Sequence, residues 1–227
     1  MWDIVFAAGF AGLLAGTFVR VLADGFAPER IPDVPPQAAE RGSRWAEARE
    51  VLTQAPGRWP SWRWPPWVEL GTVVACAVVA WRLQGTPCLW SWGYGAVAGS
   101  LLSVIDWRTR RLPDVITLPS YPILAVLLIP TGHLGYALLG GLALGGAYAV
   151  LWYGWPHALG LGDAKLAGLV GMLAGSLGMD RWVAAAMGGL VLGALYAVLL
   201  LLTGRGTLKT QFPLGPFIAA GALAALY

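Results

Sequence analysis

Residues 182–203 read WVAAAMGGLVLGALYAVLLLLT, 22 positions without one charge. A helix needs about 20 apolar residues to cross a bilayer at right angles. The run shows no strict two-residue alternation, so a helix fits it better than a strand. Lipid cannot satisfy backbone N–H and C=O groups, so such a segment must be a helix or part of a closed barrel. Working outward, seven further apolar runs follow the same rule: 4–22, 67–83, 89–105, 115–130, 134–153, 164–178 and 213–227. Several are shorter than a perpendicular span, the run at 164–178 among them. The expected fold is all-α, a polytopic membrane bundle of about eight transmembrane helices. Its expected organisation is a first transmembrane helix at 1–22, a cytoplasmic polar loop at 23–66 and a core of about seven helices at 67–227.

Composition agrees. Hydrophobic residues make up 57% of the 227, and charged ones only 12%, about half the usual share for a soluble domain. Glycines recur at small-xxx-small spacing in Gly12/Gly16, Gly141/Gly145, Gly171/Gly175 and Gly189/Gly193, which lets helix backbones approach closely. The first run lacks a basic segment before its core and carries Asp3 instead, so it reads as a retained helix rather than a cleaved signal. Cys76 and Cys88 are the only cysteines. Their spacing matches no zinc site and no disulfide framework, and neither a metal nor a cofactor is expected. The basic residues sit beside apolar runs, so the net charge of +3 points to a membrane surface rather than to nucleic acid.

Charge also sets orientation. With eight spans, thirteen Lys and Arg fall on one side, and only Arg82 and Arg181 on the other. The basic side is therefore expected to face the cytoplasm. The loop at 23–66 lies there. It holds a Pro-rich start, a short amphipathic stretch at 38–52 and a Trp-rich end suited to the headgroup region.

Most of the twelve acidic residues lie in that loop or on the external side. Glu69, Asp106, Asp114 and Asp163 remain. Glu69 opens a span and suits a helix N-terminus. Asp114 follows Pro113 and reads either as a helix cap or as a site residue. Asp106 ends its apolar run in Ser103-Val104-Ile105-Asp106, just before Arg108, Arg110 and Arg111. A salt bridge is one reading. Its place at a helix C-terminus disfavours an anion, which suits a carboxyl that must hold or exchange a proton. Asp163 stands in Gly160-Leu161-Gly162-Asp163-Ala164-Lys165. Gly160 and Gly162 permit positive φ and leave room for an extended chain to approach. A glycine-rich turn with Asp163 as N-cap is the structural alternative. Carboxylates at membrane depth cost roughly 2.5–3.5 kcal/mol, so they usually have a task. Asp106 and Asp163 fall on the same side of the membrane, where a pair could share one proton and activate water. Of the two histidines, His133 reads as external and His157 as an interfacial loop residue near Asp163.

Together these motifs resemble the type IV prepilin peptidases. Residues 105–119, IDWRTRRLPDVITLP, are similar to their first signature, and Gly160-Leu161-Gly162-Asp163-Ala164-Lys165-Leu166 to their GxGD motif. Phe212-Pro213-Leu214-Gly215-Pro216-Phe217 is similar to the Pro-x-Gly-Pro element opening their last helix. Residues 12–22 are similar to their first helix, and Glu69 matches an acidic residue opening their second.

The resemblance implies a GxGD aspartic endopeptidase, without cofactor, in the bacterial inner membrane. It would cut the short basic leader from prepilins, pseudopilins or Flp-like prepilins at the cytoplasmic face. Asp106 and Asp163 would be the catalytic pair, with Gly160, Gly162, Pro113, Asp114 and Lys165 in substrate-binding or supporting roles. Its partners would be a prepilin and the bilayer, with a homo-oligomer also allowed. Many members carry cysteine pairs in the first cytoplasmic loop and also methylate the new N-terminus. Residues 23–66 hold no cysteine, so a zinc-bound loop of that kind cannot form and cleavage without methylation is expected. Two rivals use similar residues: a proton- or cation-coupled transporter with paired carboxylates, and a presenilin-like intramembrane protease.

Overall fold

The structure is a computed structural model, and it describes residues 2–25, 66–110, 112–154, 159–204 and 212–227. Residues 26–65 of the polar loop, with most of its Trp-rich end, together with Arg111, His157, Arg205 and Lys209, lie outside the described residues, and residues 23–25, expected in that loop, continue α1. The described chain is helical: α1 Trp2–Gly25, α2 Trp67–Leu83, α3 Cys88–Thr109, α4 Asp114–Leu128, α5 Leu134–Gly154, α6 Leu161–Gly175, α7 Met179–Leu202 and α8 Gly215–Ala224. Each apolar run became one helix. Five of them are long and apolar enough to cross a membrane: α1, α3, α4 with the 3₁₀ turn that follows it, α5 and α7. α2, α6 and α8, of 17, 15 and 10 residues, are shorter than a perpendicular span.

The helices pair in sequence order. α1 packs on α2, α5 on α6, and α7 on α8. The glycines mark these seams. A Cβ on Gly16 would stand 2.7 Å from the Glu69 Cα, and one on Gly171 would stand 2.4 Å from the Gly140 carbonyl oxygen. Such seams allow backbone-to-backbone approach where lipid offers no hydrophobic drive between helices. α6 is the central helix. From Asp163 to Gly175, every residue except Lys165 is buried. A helix apolar on all sides belongs in the interior, and α6 can be short because its neighbours face the lipid in its place.

The two ends of the bundle differ in charge. At one end Arg181 donates to the Ala225 carbonyl at 2.8 Å, and Arg82 Nε donates to the Leu226 carbonyl at 2.8 Å while lying 4.5 Å from the Tyr227 ring centroid. These two arginines cap the C-terminus of α8, where a cation is favoured. The other end holds the Arg108–Asp24 and Lys165–Asp114 ion pairs. There the buried Arg20–Glu69 pair also ties α1 to α2.

Candidate active site

The carboxylates gather at that second end. Asp106 lies in the last turn of α3, because the helix runs on to Thr109 instead of stopping at Ile105. Thr109 Oγ1 donates to the Ile105 carbonyl, and Arg110, at φ 51°, closes the helix with its N–H on the Asp106 carbonyl at 2.8 Å. A left-handed cap that satisfies a terminal carbonyl usually falls to glycine. Among the described residues, Arg110 is the one non-glycine with positive φ.

The Asp106 side chain is 4% exposed. Among the described residues no flanking arginine pairs with it: Arg108 turns to Asp24, and Arg111 lies outside them. Instead Asp106 Oδ2 accepts the Gly215 backbone N–H at 2.9 Å. Gly215 is the first residue of α8. The unfavourable C-terminal dipole of α3 is thus answered by the N-terminus of α8, whose free N–H groups favour an anion.

Asp163 occupies the third position of α6 and is 8% exposed. It is not the N-cap, which is Gly160. Its Oδ2 accepts the Gly160 N–H at 3.1 Å, the carboxylate half of a capping box. Gly160 has φ −84° and ψ 144°, and neither it nor Gly162 has positive φ. The glycines are therefore needed for space rather than for an unusual backbone. A Cβ on Gly162 would stand 2.9 Å from the Leu112 Cβ, and one on Gly160 would stand 3.2 Å from Asp163 Oδ2. α3 packs on α6, so Asp106 and Asp163 belong to neighbouring helices.

Contacts of Asp114 and Tyr121 with Lys165 brace α4 against α6. Asp114 is the first residue of α4 and makes no capping hydrogen bond. Its carboxylate pairs instead with Lys165, so the cap reading is replaced by an ion pair. Pro113 is the N-cap in extended conformation, and its carbonyl accepts from Thr117 Oγ1 at 3.0 Å. Tyr121 donates to the Lys165 carbonyl at 2.7 Å. Glu69 opens α2 as expected, but it is buried against Arg20. His133 lies between α4 and α5, beside Tyr136, away from these groups. Among the described residues, no three His, Cys, Asp or Glu side chains are grouped to hold a metal ion.

Two residues around the site escape sequence reasoning. Gly215 stands in a motif but contributes only a backbone N–H. Tyr121 acts through its hydroxyl on a backbone carbonyl 44 residues away. Only the Pro-x-Gly-Pro pattern pointed to the first, and nothing in the chain pointed to the second.

Comparison with known proteins follows the same residues. Positions 94–202 match the Type IV leader peptidase family. That segment includes Asp106, Pro113, Asp114, Gly160, Gly162, Asp163 and Lys165. A prepilin leader peptidase/N-methyltransferase of Pseudomonas putida is 31% identical over 181 residues, covering 71% of this chain and 58% of that protein. One of Xanthomonas campestris pv. campestris is 32% identical over 173 residues, covering 68% and 55%. One of Bacillus subtilis is 32% identical over 127 residues, covering 55% and 50%. The chain thus spans little more than half the length of the curated relatives it matches. No solved structure matches it.

Proposed function

Through residues 94–202 the chain belongs to the type IV leader peptidase family, and from that premise we propose that it is a membrane aspartic endopeptidase removing the leader from prepilin-like substrates. The observation that carries the reading is the pair of buried carboxylates, Asp106 and Asp163, held at helix termini on one end of the bundle.

The chemistry is general acid–base proteolysis. Two like charges in one site favour sharing a single proton, so the pair titrates as a unit. The ionised carboxylate takes a proton from a water between the two. The protonated one donates to the scissile carbonyl oxygen as the hydroxyl oxygen bonds to carbon. Collapse of the tetrahedral intermediate returns a proton to the leaving amine, and both carboxyls resume their starting states. Proton transfers of this kind contribute about 10²–10⁴-fold each. The Gly215 and Gly160 N–H groups fix one oxygen of each carboxylate and leave the other for water.

The proposed setting is the bacterial inner membrane, with the site on the cytoplasmic face. The thirteen-to-two distribution of basic residues supports this. The relatives' names join leader peptidase to N-methyltransferase. For this chain we assign cleavage alone, because residues 23–66 hold no cysteine.

The test is leader cleavage of a prepilin by membranes carrying Asp106→Asn or Asp163→Asn, with protein levels matched. Loss of cleavage in both is the expected result. Full cleavage by either variant overturns the mechanism. Cation flux through the parent chain without cleavage would make it a transporter.

A further inference from the structure

A cavity of about 330 Å³ lies between α2, α3, α4, α6 and α8. Along α3 its wall runs from Trp92 to Val104, about 18 Å at 1.5 Å per residue. Its upper end lies under the candidate site, because Ser103 and Val104 precede Asp106 and Pro216 follows Gly215. Small side chains open it: Gly71, Gly95, Gly99 and Ala219 all line the wall. Trp67 and Gly71 of α2 and Ala220 of α8 are exposed, so the opening faces sideways, between α2 and α8.

We infer that this cavity holds the acyl chain of one membrane phospholipid, which enters between α2 and α8 with its headgroup at the Asp106 end. Three observations select that occupant. The first is length. The slot matches half of a hydrocarbon core about 30 Å thick, the depth one lipid tail reaches. The second is width. A volume of 330 Å³ drawn out over that length leaves a bore narrower than the roughly 10 Å of a helix with side chains. A second transmembrane helix does not fit.

The third is polarity. An extended peptide of that length would bring about five residues at 3.3 Å each, with a donor and an acceptor on nearly every one. Each unpaired backbone group in lipid costs several kcal/mol. The polar side chains of the wall are Thr72, Trp92, Tyr94, Ser100, Ser103 and Ser120. Thr72 Oγ1 donates to the Val68 carbonyl at 2.9 Å, Tyr94 and Ser120 bond each other at 2.8 Å, and Trp92 Nε1 and Ser103 Oγ are buried without a partner. So few groups cannot satisfy such a peptide, whereas a hydrocarbon chain brings no such demand.

The inference concerns the bundle itself and holds whether or not the chain cuts prepilins. It is tested with the full chain in vesicles of phosphatidylglycerol and phosphatidylethanolamine doped with a phospholipid bearing a diazirine at mid-chain. After illumination, labelled residues are mapped by peptide mass spectrometry. Label is expected on Leu102, Leu124 or Leu169 inside the cavity, as well as on lipid-facing Leu142 and Val150. Ala219→Leu, and separately Gly99→Leu, should remove the interior label and keep the surface label. The unmodified chain alone can refute the idea: surface labelling without interior labelling would overturn it. An interior label that an added apolar substrate segment displaces, while itself crosslinking there, would overturn it in favour of a peptide subsite.

Discussion

The Gly215 N–H donates to Asp106 Oδ2 at 2.9 Å, across 109 positions of sequence. A Cβ at Gly215 would stand 2.8 Å from that oxygen and 3.2 Å from the Asp106 Cβ. Gly215→Ala is therefore expected to push the carboxylate off its donor. A misplacement near 1 Å costs about 10²-fold in rate. Initial rates of prepilin cleavage, normalised to protein in the membrane, check this. Unchanged rates would mean that the contact does not position the carboxylate.

The carboxylates should fail as a unit. Asp106→Asn, Asp163→Asn and the double variant are expected to lose cleavage to a similar extent, since residues acting in one step are strongly non-additive. A double variant that is far worse than either single one would argue for independent roles. Single-turnover assays with matched membranes measure it.

The Arg20–Glu69 pair is buried, with side chains 7% and 10% exposed. Removing Arg20 leaves the buried Glu69 carboxylate without its cation, at a cost of about 3–5 kcal/mol. Arg20→Met should therefore lower the melting temperature in detergent clearly. The double change Arg20→Met with Glu69→Leu should recover much of the loss. A double variant as unstable as Arg20→Met alone would refute the pairing argument.

The Lys165–Asp114 pair is more open, with side chains 27% and 50% exposed. Exposed pairs contribute about 0–1 kcal/mol, so Asp114→Asn should leave stability nearly unchanged. Its effect should appear in cleavage rate, as the first turn of α6 loses a tether two residues from Asp163. Thermal melts and rates on the same sample separate the two outcomes.

A Cβ at Gly168 would come 2.2 Å from the Tyr121 hydroxyl. Gly168→Ala should destabilise the α4–α6 seam by about 1–3 kcal/mol. Adding Tyr121→Phe removes the clashing oxygen and should restore part of that loss. Additive damage in the double variant would show that the two residues do not collide.

The helices were legible because apolar runs of this length have few alternatives in a bilayer. α3 outlasted its apolar run because Arg108 and Thr109 found partners at the interface and let the helix continue. Asp106 and Asp163 were legible as candidates because a carboxylate beside an apolar run is conspicuous. Their surroundings were less so. Gly160 and Gly162 read in the sequence both as permitting positive φ and as leaving room beside the carboxylate, yet neither has positive φ and their closest neighbours are Leu112 and Asp163. The reason is that a glycine looks the same in a sequence whether the need is torsional or steric. Asp114 was read as either a cap or a site residue, because its partner Lys165 lies 51 residues away. The Pro-x-Gly-Pro motif marked Gly215 but not its role as a donor, since every residue except proline carries a backbone N–H.

α8 spans only Gly215–Ala224, about 15 Å, and it is fastened at both tips. Asp106 grips one, while Arg82 and Arg181 grip the other. A strut held that way transmits a disturbance along its axis instead of absorbing it. Substitutions at Arg82 or Arg181, on the opposite face of the bundle, will therefore register as lost cleavage although they touch no reacting atom. A mutational map of this protein should show a hot patch at the far mouth of the bundle, which a reader could mistake for a second site.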